Sequence, residues 1–184
     1  MGPGVGRRLG AFATDCRGVA ATEFAFIVPL MLVMFFGTVE FCSAIAVDRK
    51  VTLMARTLSD LTSQSTSVGD SDMSNFFAAS TGIMYPYSTT PVNATISELY
   101  VDPNTMQATV VWSKGSALRA TGTTVGVPAD LLVSGTYLIF SEVSYQYVPT
   151  IGYVMAKTGI NLSDVAYTRP RQSTCVYYSP RTSC

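Results

Sequence analysis

The chain has 184 residues, enough for one domain and a membrane segment but too few for two comfortable domains. Its 12 basic and 12 acidic side chains balance, so the chain has no net positive field to attract nucleic acid, and we expect no nucleic-acid partner. It contains no histidine, which excludes His-based catalytic triads and removes the commonest metal ligand. No motif supports lysine, carboxylate or cysteine chemistry either. We therefore expect no enzyme activity, no cofactor and no metal site.

A long apolar run follows a basic N-terminus that contains Arg7 and Arg8. Residues 24–47 carry a single charge, Glu40, and exceed the roughly 20 residues that a helix needs to cross a bilayer. The run therefore predicts a membrane segment. The basic leader favours a cytoplasmic N-terminus, but basic residues also follow the run, so charge alone leaves the orientation open.

The helical pattern continues beyond the apolar run. Apolar residues recur at helical spacing, and polar residues occupy the other faces. These apolar positions are Val47, Val51, Met54, Leu58 and Leu61. We predict one helix from Val19 to about residue 64, with two helices separated near Glu40 as the alternative. Pro29 lies inside the membrane part, where it is expected to kink the helix.

The remainder of the chain reads mainly as short strands. The predicted strands are 92–101, 106–113, 136–148 and 162–168, with a short helix at 73–80 and an irregular connection at 150–161. Asp102-Pro103 begins a turn between the first two strands. In the longest strand the apolar residues alternate between two faces. These elements predict an α+β fold with a long N-terminal helix, transmembrane and then amphipathic, packed on a small antiparallel sheet.

An acid stands at the beginning of the apolar run. Glu23 would be costly at the centre of a membrane, although at headgroup level beside Arg17 it would cost little. Its surroundings are distinctive: a basic leader, Gly18, four small or β-branched residues, then Glu23 and Phe24. This arrangement resembles the processing site of type IV pilin-like proteins, in which a prepilin peptidase cuts after the glycine.

A closer resemblance is to the TadE-like pseudopilins of the tight-adherence (Flp-type) pilus system. The motif GVAATEFAFIVPL at residues 18–30 includes Pro29, and GTVEF at residues 37–41 is similar to the end of the family signature. The resemblance implies a pilin-like domain and a minor pseudopilin, a structural component of pilus assembly, adhesion, biofilm formation and secretion. It also implies a bacterial inner-membrane protein with a periplasmic C-terminal domain. A tip, initiator or shaft role stays open.

The resemblance also assigns roles to residues. Residues 1–18 would be a cytoplasmic leader, 19–47 the transmembrane helix and 48–184 the extracytoplasmic domain. Prepilin peptidase would cut between Gly18 and Val19, and Glu23 and Phe24 would act in assembly with other pilins or pseudopilins of the Tad system.

Four cysteines occur in the chain, and two lie near its C-terminus. The resemblance places Cys175 and Cys184 in an oxidising compartment, where a bridge between them is expected. Pilin-like domains often carry such a C-terminal disulfide loop. Two free thiols are the alternative.

Three other interpretations stay open. A secreted β-domain would lose its signal peptide after Ala46, at the small-x-small site Ala44-Ile45-Ala46. An uncleaved anchor would resemble the TadG-like relatives and keep Met1. A membrane-tethered enzyme has no motif in its favour.

Overall fold

The first element that the structure describes is a single long helix. The computed structural model describes residues 18–90, 92–149, 159–182 and 184. Helix α1 runs from Val19–Ser63 without interruption, and its 45 residues span about 68 Å. The prediction of one helix, rather than two separated near Glu40, is confirmed. Pro29 lies inside α1, and the kink expected there stays a prediction.

The chain divides into two compact units, Met1–Cys42 and Ser43–Cys184. The predicted leader, except for Gly18, lies outside the described residues, as does most of the predicted connection at 150–161. The second unit contains the C-terminal part of α1 and every strand that the structure describes. The three-part division at residues 18 and 47 stays a prediction, and Val47 itself is fully buried in the second unit.

The second unit is built around a five-stranded antiparallel sheet with the order β4-β3-β2-β5-β6. A two-stranded parallel pair, β1 with β7, lies apart from this sheet. The elements after α1 are β1 (Ser67–Val68), α2 (Asp70–Thr81), a 3-10 turn (Gly82–Met84), β2 (Val92–Val101), β3 (Ala108–Gly115), β4 (Thr124–Val125), a second 3-10 turn (Ala129–Leu131), β5 (Tyr137–Tyr147), β6 (Ile160–Thr168) and β7 (Tyr177–Tyr178). The predicted α+β class, with a long N-terminal helix on a small antiparallel sheet, is confirmed.

The sheet has a buried cluster on each face. The C-terminal part of α1 covers one face, where its buried apolar residues pack with Ile96, Ile139 and Val143. The other face carries a second cluster that includes Leu99 and Phe140 and is covered by the chain between β4 and β5. The alternation predicted for the longest strand is therefore correct, because odd-numbered positions of β5 meet the helix.

The turn between β2 and β3 is longer than the sequence predicts. The Asp102 carboxylate accepts hydrogen bonds from the backbone N–H groups of Asn104 and Thr105, at 2.7 and 3.2 Å. Met106 then adopts a positive φ of 54°, which takes it out of the strand. The strand predicted from residue 106 consequently begins at Ala108.

Candidate functional site

Gly18 immediately precedes the first residue of α1. It is exposed, and a Cβ built on it would meet no atom within 4 Å. Its φ also lies outside the left-handed region that favours glycine. Neither packing nor backbone conformation in this structure therefore requires a glycine at this position.

Glu23 and Phe24 lie on the first turns of α1, close to Val19. Both side chains are exposed, and Phe24 keeps 67% of its surface accessible. No ion pair joins Glu23 to another of the described residues. The neighbouring Thr22 hydroxyl donates to the carbonyl of Val19 at 2.8 Å, so this polar group is satisfied inside the helix. The structure brings these site residues together only as neighbours along one helix.

The first half of α1 presents apolar side chains on every side. Its most apolar 18-residue window has a mean hydropathy of 2.2 and no buried residue, so it is not a core helix of a soluble fold. By length and composition α1 could cross a membrane, although a signal sequence near the N-terminus has the same properties. The exposed large apolar residues of this part are Val19, Phe24, Phe26, Ile27, Leu30, Met31, Leu32, Val33, Met34, Phe35, Phe36, Val39, Phe41 and Ile45.

The character of α1 changes at Val47. From there, one face of the helix is fully buried through Val51, Met54, Ala55 and Leu58. Two hydrogen bonds fix this part to β5. The Ser59 hydroxyl donates to the carbonyl of Ile139 at 3.2 Å, and the Ser141 hydroxyl donates to the carbonyl of Ala55 at 2.6 Å.

The C-terminal segment is tied to the second unit at several points. Cys175 and Cys184 form a disulfide, with their Cα atoms 5.8 Å apart, and Cys175 is fully buried. Strand β7 pairs with β1, and the N–H of Arg171 donates to the carbonyl of Ser63 at 2.8 Å.

A buried carboxyl that the sequence analysis did not select lies behind this segment. Glu98 on β2 is 1% exposed, and its Oε1 accepts the N–H of Val176 at 2.6 Å. The indole of Trp112, opposite Glu98 on β3, donates to the carbonyl of Val176 at 2.7 Å. Burial raises the pKa of Glu98 to about 7, although the hydrogen bonds oppose this shift. The sequence could have indicated this burial, because the two-residue period of a strand places Glu98 on the same face as the apolar residues Ala94 and Ile96.

Metal chemistry finds no support in the part of the chain that the structure describes. No group of three or more cysteine, aspartate or glutamate side chains is arranged there to hold a metal ion. Several acidic groups instead contact cations or backbone groups, as Glu142 does with the Arg119 guanidinium through two contacts of 2.6 Å.

A comparison with protein families gives one finding. The model of the family described as TadE-like protein matches residues 18–58. No curated protein and no solved structure matches the chain. The matched residues cover the predicted processing motif, the apolar half of α1 and much of its buried face. TadE-like proteins are structural pilus components rather than a known enzyme family. Residues 18–58 are therefore similar to the TadE-like family, as their motifs indicated, and the match supports a component associated with the Tad pilus.

Proposed function

We propose that this chain is a minor pseudopilin, a structural subunit that assembles through its N-terminal helix. One observation carries the proposal: α1 is continuous, yet its first half is apolar and uncovered while its second half is part of a domain core. An uncovered apolar helix can lie in lipid or pack against similar helices. A subunit of this design can be stored in a membrane and then extracted into an assembly, with its domain outside.

Processing by a prepilin peptidase is the first step that we propose. Gly18 has no packing or conformational role in the structure, and helix α1 begins directly after it. Recognition by a peptidase would explain why a glycine occupies this position. Cleavage would release the leader and leave a free α-amino group on Val19.

Glu23 would then set the register between subunits. In a bundle of apolar helices the dielectric is low, so an unpaired carboxylate is costly and a cationic partner is favoured. The new amino group of Val19 on a neighbouring pilin or pseudopilin is such a partner. Glu23 is exposed on α1 and available for this contact. In this proposal the N-terminus is cytoplasmic, and the second unit is periplasmic until assembly.

The mature N-terminus tests the processing step. Mass spectrometry of protein purified from its natural membrane should identify Val19 as the first residue. A chain that begins at Met1 would indicate an uncleaved anchor and would contradict the proposal.

A chain beginning at Val47 would indicate a secreted domain and would also contradict it. The structure offers a physical reason against that outcome. Val47 is fully buried, so a cut after Ala46 would place a charged amino group at a core position, which is unfavourable.

Assembly provides a second test. Glu23→Ala should leave membrane insertion intact, because it removes a charge from an apolar helix, but it should strongly reduce incorporation into pili. Thr22→Val is the matched control, since the Thr22 hydroxyl bonds only within its own helix. Quantitative immunoblots of sheared pili and membranes would measure both variants. Normal incorporation of the Glu23→Ala protein would contradict the proposed pairing.

A further inference from the structure

The five-stranded sheet ends in a long edge strand, β6, which pairs with β5 on one side. One hydrogen bond shows how its backbone groups are directed. The N–H of Val165 donates to the carboxylate of the preceding Asp164 at 2.8 Å, so this N–H points away from β5. Because these directions alternate along an antiparallel strand, Ser163 and Tyr167 also direct their backbone N–H and C=O groups outward.

The outward groups of Ser163, Val165 and Tyr167 form no backbone–backbone hydrogen bond with any residue that the structure describes. The Val165 N–H has a side-chain acceptor, Asp164, which the carbonyl of another strand could replace. A row of unpaired backbone groups at a sheet edge is a template for a further strand. The edge therefore favours an extended polypeptide as its ligand rather than a small molecule.

Helix α1 flanks this edge. A groove of about 630 Å³ lies between the helix and the C-terminal half of β6, and its helix side consists of Arg56, Thr57, Asp60 and Leu61. Thr57 and Leu61 are only partly buried by the fold. A strand added beside β6 would cover these two side chains, as β5 and β6 already cover the buried face of α1.

The C-terminal half of β6 is held in place by contacts on both of its faces. The Thr168 hydroxyl donates to the carbonyl of Ser59 at 3.1 Å, which fixes the strand to α1. On the other face the ring of Tyr167 stacks on Phe140, with 4.8 Å between the ring centroids. The edge is thus already in the extended conformation that strand pairing requires, which lowers the entropic cost of binding.

The charges beside the groove favour an acidic ligand. Arg56 lines the groove and Arg169 directly follows β6; both are exposed, and neither forms an ion pair with a residue that the structure describes. The groove carboxylate, Asp60, is already engaged by the Arg171 guanidinium. The arginines left without a carboxylate partner therefore complement a carboxylate on the incoming segment.

We propose that β6 and the adjacent groove bind an extended, acidic segment of a partner protein by strand addition. The segment would pair its backbone with Ser163, Val165 and Tyr167 and direct a carboxylate towards Arg56. This inference concerns the second unit alone, so it depends neither on peptidase processing nor on the membrane location of α1. Its failure would leave the proposed function standing.

Binding of a defined peptide tests the proposal. The probe is TVTETVT, an N-acetylated, C-amidated heptapeptide with a fluorescent label, in which the valines and the glutamate share one face of a strand. Fluorescence anisotropy would measure its affinity for the full chain in detergent micelles. The control peptide TVTKTVT reverses the charge and keeps the strand pattern.

Two variants of the chain, each with a matched control, test the two halves of the site. Val165→Pro removes an outward N–H and places a ring on the edge, where proline is tolerated, and Val165→Ala controls for the lost side chain. Arg56→Glu reverses the charge of the groove. Its control is Arg49→Glu, because Arg49 is exposed about two turns earlier on α1 and does not line the groove. Circular dichroism would verify that each variant is folded.

We expect the wild type, Val165→Ala and Arg49→Glu to bind TVTETVT equally well, and Val165→Pro to lose binding. Arg56→Glu should weaken binding of this peptide about tenfold or more, and should bind TVTKTVT better than the wild type does. The Arg56 comparison stands even if Val165→Pro does not fold, because Arg56 lies outside the sheet.

Three results would contradict the proposal. Strand addition would be wrong if the wild type did not bind the probe, or if folded Val165→Pro bound it equally well. Equal affinity of the wild type for both peptides would refute the preference for an acidic segment. Self-association of the wild type that Val165→Pro abolishes, measured by analytical ultracentrifugation, would assign the edge to a second copy of this chain instead.

Discussion

Glu98 holds the C-terminal segment by a contact that depends on its protonation state. Its carboxyl and the Trp112 indole satisfy both backbone groups of Val176, as a neighbouring strand would. Burial raises the pKa of Glu98 from 4.5 to about 7, which means that the folded state favours the protonated form. Between these values the folded protein binds more protons than the unfolded chain. Its stability therefore falls as the pH rises from about 4.5 to about 7 and then levels off.

Replacing Glu98 with glutamine should remove this pH dependence. The amide oxygen can still accept the Val176 N–H, but no charge is buried at neutral pH. We expect Glu98→Gln to stabilise the protein at pH 8 by up to about 3 kcal/mol, from the size of the pKa shift. Thermal unfolding across pH 4.5 to 8 would measure the effect.

A second variant separates charge from hydrogen bonding at this position. Glu98→Leu also removes the charge but leaves the Val176 N–H buried without a partner, so it should be about 1–3 kcal/mol less stable than Glu98→Gln at every pH. An unchanged pH dependence in Glu98→Gln would show that another group is responsible for it.

At the scale of elements, the C-terminal segment closes the second unit by returning to the end of α1. Its links lie along the whole segment: the Arg171 N–H to the Ser63 carbonyl, the pairing of β7 with β1, and the disulfide. The Arg171 guanidinium also forms an ion pair with Asp60. Because these contacts are independent, loss of one should loosen the segment without releasing it.

Removing the disulfide should lower stability by about 2.5 kcal/mol, the loop-entropy value for so short a loop. Cys184→Ser is the cleaner variant, because Cys184 is exposed. Cys175→Ser should cost more, since it also places a hydroxyl in a fully buried site. Urea unfolding with and without reductant would measure both. Reductant should destabilise the wild type and leave Cys184→Ser unchanged; a wild type that is insensitive to reductant would contradict the prediction.

The molecule as a whole consists of two units that differ in whether they contain a core of their own. The apolar half of α1 has no core of its own, whereas Ser43–Cys184 contains two buried clusters and a complete sheet. The second unit should therefore fold without the first.

A fragment of residues 43–184 should be folded and soluble, with cooperative thermal unfolding. A fragment of residues 52–184 is the matched comparison, because it lacks Val47 and Val51. Both are fully buried, and their loss should cost about 3 kcal/mol or more. Circular dichroism and calorimetry would compare the two. Equal stability of the fragments, or an unfolded longer fragment, would contradict this view of the second unit.

Much of the fold followed from local patterns. The helical period of α1 and the alternation in β5 predicted these two elements closely, because the side chains that face the core recur at the period of the element. The pairing of β1 with β7 was missed, since strands of two residues have no periodicity and the pairing depends on the return of the C-terminal segment. The burial of Glu98 depends on the same return. The processing motif was recognised because it is a contiguous stretch that a peptidase would read as sequence.

The sequence by itself determined that this protein has a helical pattern near its N-terminus, an apolar segment of membrane length and a TadE-like motif at the start of that segment. Those properties depend only on residues that are close together in the sequence. Only the tertiary structure decided which apolar residues belong to the protein core. The apolar run extends to Val47, yet Val47 lies inside the second unit while Ile45 stays exposed. The same apolar side chains are stable in lipid and in a protein interior. Composition therefore cannot distinguish a lipid-facing residue from a core residue, whereas packing against the sheet distinguishes the two.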